Sequence, residues 1–298
     1  MSQFTAINLA QVAPPDVIEP LDFEQILSEM LTELAERAPE LDAQVESEPF
    51  MKLLEVCAFR ELQLRARIND AARAVMLPYS TGTDLDNLGA LFGVERLLLS
   101  PAVPTAIPPI PAVYESDSDF RYRIQLSLEG LSTAGPEGAY IFHALSADGQ
   151  VLDASAISPT PGQVLITVLS RAGTGAPSAA LLTTVLAKLS DESVRPLTDY
   201  VQVQAATIAQ YQVTATLYFY AGPDREVVMA NARAALEAYT AGQHRLGLDV
   251  TLSGIYAALH QPGVQRVDLA SPTANLVVNR QTASYCTAIN LTDGGLDE

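Results

Sequence analysis

Five prolines crowd into "SPAVPTAIPPIPAVYE", at Pro101, Pro104, Pro108, Pro109 and Pro111. No α-helix and no central β-strand can run through such a stretch, because each proline fixes φ and removes a backbone donor. Residues 100–115 therefore predict a stiff extended connector and a domain boundary. They divide the chain into a helical part before residue 99 and a mixed part after residue 116.

Before the prolines the periodicity is helical. In residues 21–37, Phe23, Leu27, Met30 and Leu34 share one face, Asp22 can cap the start and Pro39 marks the stop. Over residues 48–77, Phe50, Leu54, Cys57, Glu61, Leu64, Ile68, Ala71 and Val75 follow alternating steps of four and three. That is a heptad seam with one violation, Glu61. A helical hairpin buries little by itself, so either another chain or this chain's next domain must complete the seam. Residues 81–96 predict a short helix opened by Thr83 or Asp84 and closed by Gly93 in a left-handed turn.

Beyond the prolines, helices at 117–130, 136–146 and 178–190 interleave with strands near 150–158, 162–170 and 198–206. A second set follows. A long strand at 209–222 places Tyr211, Val213, Ala215, Leu217 and Phe219 on one side. Helices near 224–241 and 252–261 and strands near 263–271 and 284–292 complete it. The fold class expected is α+β: an N-terminal helical hairpin or bundle segment, then two α+β domains with small open sheets. The expected domains are 1–99, 116–207 and 208–298, with the connector between the first two. "GAYIFHALSADGQVLDAS" (138–155) and "GIYAALHQPGVQRVDLAS" (254–271) both run from helix to strand, a loose internal match.

Candidate chemistry is sparse. Asp117 and Asp119 stand next to Arg121 and Arg123, as in a metal-assisted phosphate site. The neighbourhood offers no third carboxylate or histidine, whereas Ser116 or Asp117 suits a helix N-cap and the acids suit the positive end of the helix dipole. "VLITVLSRAGTGAPSAALL" approaches a dinucleotide fingerprint through Gly173 and Gly175. Its sixth position is Ser178, and the following strand ends in Gln202, Val203 and Gln204 rather than an acid. His143, His244 and His260 are scattered, and Cys57 and Cys286 lack a paired spacing. No catalytic residue, metal or cofactor is expected. A nucleotide-dependent enzyme built on Gly173 and Gly175 is the alternative. The formal net charge of −18 disfavours a nucleic-acid partner, and no apolar run has the length of a membrane helix. The first 17 residues do not read as a secretory signal, so folding in a cytoplasm is expected.

Three blocks, "GTDLDNLGALFGVER", "ESDSDFRYRIQLSLEGLSTAGPEGAYIFHAL" and "GTGAPSAALLTTVLAKLSDESVRPLTDYVQV", resemble the baseplate assembly protein J family of contractile-tailed phages, tailocins and related injection systems. The resemblance covers roughly residues 80–270. It implies a structural baseplate wedge protein of a phage tail or tail-like particle, assembled in the bacterial cytoplasm. It implies partners: other copies of the chain, a tail protein I-like wedge protein and a small lysozyme-like wedge protein, with N-terminal helices in an inter-chain bundle. In that reading Asp84, Gly93, Asp117, Gly135, Gly138, Gly173, Gly175 and Pro196 shape caps and turns.

Overall fold

The computed structural model describes residues 7, 9, 12, 13, 15–41, 48–132, 134–222 and 224–297. Most of the N-terminal stretch that was read for a signal lies outside them. Two compact units result, residues 7–95 and residues 96–298.

The first unit is helical. α1 (Phe23–Arg37) is capped by the Asp22 carboxylate, which accepts from the Gln25 amide. α2 (Pro49–Ala74) starts on proline at its first position, where no backbone donor is needed. Their shared core is Ile26 and Leu27 of α1 against Ala58 of α2, flanked by Phe23, Met30, Met51, Leu54 and Leu62. α3 (Gly82–Leu91) begins earlier than predicted, after Thr81, so Asp84 sits inside its first turn. At its end Gly93 takes φ +67°, and the Gly93 and Val94 amides return to Ala90 and Gly89. That closes the helix in a left-handed turn only glycine adopts freely.

In the second unit the proline segment does not extend as a spacer. It doubles back. β1 (Leu98–Ser100) pairs antiparallel with β2 (Val113–Tyr114), and Val103 bridges Ile110. The five prolines lie outside both strands, in the segment between them, where no ladder bond is required of them.

Next come α4 (Asp117–Gly130), α5 (Glu137–Leu145), β3 (Val151–Ile157), β4 (Gln163–Ser170), α6 (Ala179–Leu189) and β5 (Tyr200–Ala205). β4 is central, antiparallel to β3 and parallel to β5 across α6. The core gathers Tyr140, Ile141 and Ala144 of α5, Ile166 and Val168 of β4, and Leu181, Val185 and Leu189 of α6. α4 buries Phe120, Arg123, Ile124, Leu126 and Ser127. Leu128 and Leu131, toward its C-terminal end, are exposed.

β6 (Thr207–Phe219), α7 (Arg225–Gln243), α8 (Leu252–Leu259), β7 (Val264–Ser271) and β8 (Thr282–Leu296) form the last sheet, with β6 central, antiparallel to β7 and parallel to β8. Val213, Ala215, Leu217 and Phe219 point inward beneath α7 and α8, as the alternation predicts.

The loose internal match has a structural counterpart. In each half a helix pair leads into an edge strand antiparallel to the central one. Gly138 lets α5 approach α4, since a Cβ there would lie 2.9 Å from Glu129. Gly254 does the same for α8 on α7, where a Cβ would meet Tyr239 at 2.2 Å. Among the described residues no helix is long and apolar enough to cross a membrane.

Candidate assembly surfaces and the joint between the two sheets

Two things can be asked of the helical hairpin: which face α1 covers, and which it leaves. On α2 the covered positions are Met51, Leu54, Ala58 and Leu62, continued by buried Asn69. Asn69 accepts from the Glu19 amide and donates to the Glu19 carbonyl, so its polar atoms are matched within the unit. The predicted seam lies one position around the helix. Phe50, Cys57, Leu64, Ile68, Ala71 and Val75 are exposed and only Leu54 serves the core. Leu53, 60% exposed, widens the same stripe. On α1, by contrast, Phe23, Leu27 and Met30 do pack inward, whereas Leu34 is only half-buried. Glu61 is engaged by Arg65 one turn along, and Arg65 also meets Glu19 at 3.3 Å.

The acidic start of α4 has two functions. Ser116 is the N-cap, its hydroxyl accepting from the Asp119 amide at 3.2 Å. Asp117 pairs with Arg96 at 2.7 Å. Asp119 then reaches beyond its helix. Its carboxylate takes Arg171, from the loop after β4, at 2.8 Å and Arg245, from the segment after α7, at 2.6 Å. Burial opposes ionisation of Asp119, but Arg245 and Arg171 outweigh it and hold its carboxyl below the usual range. Arg245 also donates to the Leu152 carbonyl, and the Leu246 amide donates to Asp153 at 2.8 Å. Burial pushes the Asp153 carboxyl up, against the pull of Arg245. Neither Arg121 nor Arg123 joins Asp119. Arg123 instead forms a buried pair with Glu115 at 2.6 Å.

Arg280 repeats the pattern nearby, pairing with Glu137 and donating to the Ala156 carbonyl at 3.0 Å. Ser155 donates to the Arg280 carbonyl at 2.6 Å. Leu169, Ala206 and Ala283 pack beneath these bonds. Together they fix the β3–β4–β5 sheet to the β7–β6–β8 sheet, around a cleft of about 870 Å³ lined by Asp119, Asp153, Arg245 and Arg280 among others. Among the described residues no cluster of three potential metal ligands exists.

Sequence reasoning missed Arg171, Arg245, Asp153, Glu137 and Arg280. Their partners lie as far apart as Glu137 and Arg280, so no local pattern could pair them.

The glycine turn after β4 is a packing device. Gly175 has φ +99°, and a Cβ there would lie 2.6 Å from Leu169 and 2.9 Å from the His244 ring. His244 in turn contacts the Ser284 carbonyl at 2.5 Å. The glycine thus brings the β4 loop against the second sheet. Gly173, φ +59°, faces open space. Two other predicted turn residues meet in space: a Cβ at Gly135 would lie 2.7 Å from Pro196.

Three family models match in chain order. They are a baseplate J-like N-terminal domain over residues 46–103, a central domain over 132–205 and a C-terminal domain over 211–292. The chain belongs to the baseplate J-like family. Baseplate protein J of Escherichia phage P2 is 52% identical over 98% of this chain and 99% of its own length. Among solved structures, a chain of the anti-feeding prophage baseplate aligns at 16% identity with a TM-score of 0.37. That alignment covers 61% of this chain and 44% of the other. Family membership agrees with the expectation of a structural baseplate protein.

Proposed function

We propose that this baseplate J-like chain is a wedge component whose copies join into a ring around the central hub or spike and help couple baseplate rearrangement to sheath contraction. The observation that carries the reading is the apolar stripe of α2, Phe50, Leu53, Cys57, Leu64, Ile68 and Val75, which α1 leaves in solvent. A stripe at heptad spacing on one helix of a hairpin fits knobs from further helices. The helices that cover it come from a tail protein I-like wedge partner, with a small lysozyme-like wedge protein alongside. The helices α1 to α3 form the bundle module, the doubled-back proline segment an arm, and the β3–β4–β5 and β7–β6–β8 sheets with their helices the two sheet domains. The ionic joint between those sheets lets them move as one body when the ring changes shape.

The test is hydrogen exchange on α2, with and without the co-expressed tail protein I-like partner. Amides along 50–75 are expected to gain protection in the complex. A Leu64→Glu, Ile68→Glu chain should keep its helicity and lose the partner. Unchanged exchange in a purified complex, or normal complex formation by the double variant, overturns the reading.

A further inference from the structure

Residues 7–95 hold six basic side chains: Arg37, Lys52, Arg60, Arg65, Arg67 and Arg73. Four of them have carboxylate partners. Arg37 pairs with Glu33 at 2.5 Å, Lys52 with Glu55 at 3.0 Å, Arg65 with Glu61 and Glu19, and Arg73 with Asp70 at 3.8 Å. Arg60 and Arg67 are exposed and, among the described residues, meet no carboxylate. In a chain of net charge −18 acids are plentiful, so two cations left without one stand out.

Both stand on α2, seven positions apart, which is about 10.5 Å along the helix axis. At about 100° per residue they lie within about 60° of Leu64, on the flank opposite the Ala58 and Leu62 side that packs on α1. They therefore border the exposed stripe of Leu53, Leu64 and Ile68, each more than half exposed. Charges beside an apolar seam choose the partner helix, because each must meet an opposite charge or repel a like one. We infer that the helix covering this stripe belongs to a different chain and is acidic along one flank, its Asp or Glu side chains one heptad apart meeting Arg60 and Arg67. The hairpin of a second copy does not supply that surface. The acids of its α2, Glu55, Glu61 and Asp70, already hold Lys52, Arg65 and Arg73. Its α1 exposes no large apolar side chain beside Glu29 and Glu33. The acidic flank rests on the α2 stripe being a helix-binding face, and adds the charge of what binds there.

The test uses assembled baseplates containing the full chain with Arg60→Lys and Arg67→Lys, treated with a carbodiimide. The reagent activates a carboxylate, a lysine amine in contact with it displaces the urea, and an amide bond joins the two without a spacer. Positions 60 and 67 are expected to link to Asp or Glu side chains of one helix of a different baseplate protein, seven positions apart. Links to a second copy, links confined to Asp70 of the same chain, or no link would each overturn the inference. A second chain carries Arg60→Glu and Arg67→Glu. Both positions are exposed, so it should remain helical by circular dichroism while the yield of assembled baseplates falls by about tenfold or more. Normal assembly by that chain would also overturn the inference. Failure of the stripe reading shows separately, as normal complex formation by the Leu64→Glu, Ile68→Glu chain. Where that chain loses its partner and the charge-reversed chain does not, the stripe stands and only the acidic flank falls.

Discussion

Replacing Glu115 with Gln should be among the most damaging single changes in the second unit. The Glu115 and Arg123 side chains are 1% and 5% exposed, and the guanidinium Nη2 lies 2.6 Å from the carboxylate. The Arg123 Nε adds contacts of 3.2 and 3.1 Å, and the Leu97 amide sits 3.3 Å from the same acid. With the acid removed, the guanidinium stays in the core facing Ser146 and the Phe120 ring, and the Glu115 charge is gone. Breaking a buried pair from one side costs about 3–5 kcal/mol. For a unit of this size that is a melting temperature lower by roughly 6–20 °C. A chain with Glu115→Leu and Arg123→Met removes both charges and restores apolar packing. It should lie within about 1–2 kcal/mol of the parent, the remainder reflecting the Leu97 amide. Urea unfolding followed by circular dichroism gives the energies, and hydrogen exchange at α4 shows where the loss falls. A Glu115→Gln cost below about 1 kcal/mol would refute the reasoning. So would a double variant whose cost equals the sum of the two single ones.

The joint between the sheets should be acid-labile through Asp119. Its carboxyl is depressed in the folded chain by Arg245 and Arg171, so its stabilisation is complete above the ordinary carboxylate pKa and disappears as pH falls through the folded value. Asp119→Asn should flatten that acid-side limb in thermal melts between about pH 6 and 2, the carboxylate range; an unchanged slope would count against the pairing. The two turn glycines should separate sharply. Gly175→Ala meets Leu169 and His244 at short range and should cost about 2–4 kcal/mol. Gly173→Ala meets open space and should cost only about 1–2 kcal/mol for its left-handed backbone. Equal costs in urea melts would remove the packing account.

The elements themselves were legible because their signals are local. Alternation gave β6 its inward residues Val213 to Phe219, and glycine at Gly93 and serine at Ser116 set helix ends through bonds within a few positions. Tertiary structure decided the rest. Whether Phe50, Leu64 and Ile68 face α1 or solvent turns on a rotation of one position around α2, which periodicity alone leaves open because adjacent stripes both contain apolar residues. Whether five prolines span or double back depends on Val103 finding Ile110. Asp119 illustrates both sides. Its place in a first helical turn is written in the four residues around it. Its grip on Arg245 is not, since a charge pair across 126 positions leaves no trace in spacing and exists only once two sheets have been brought together.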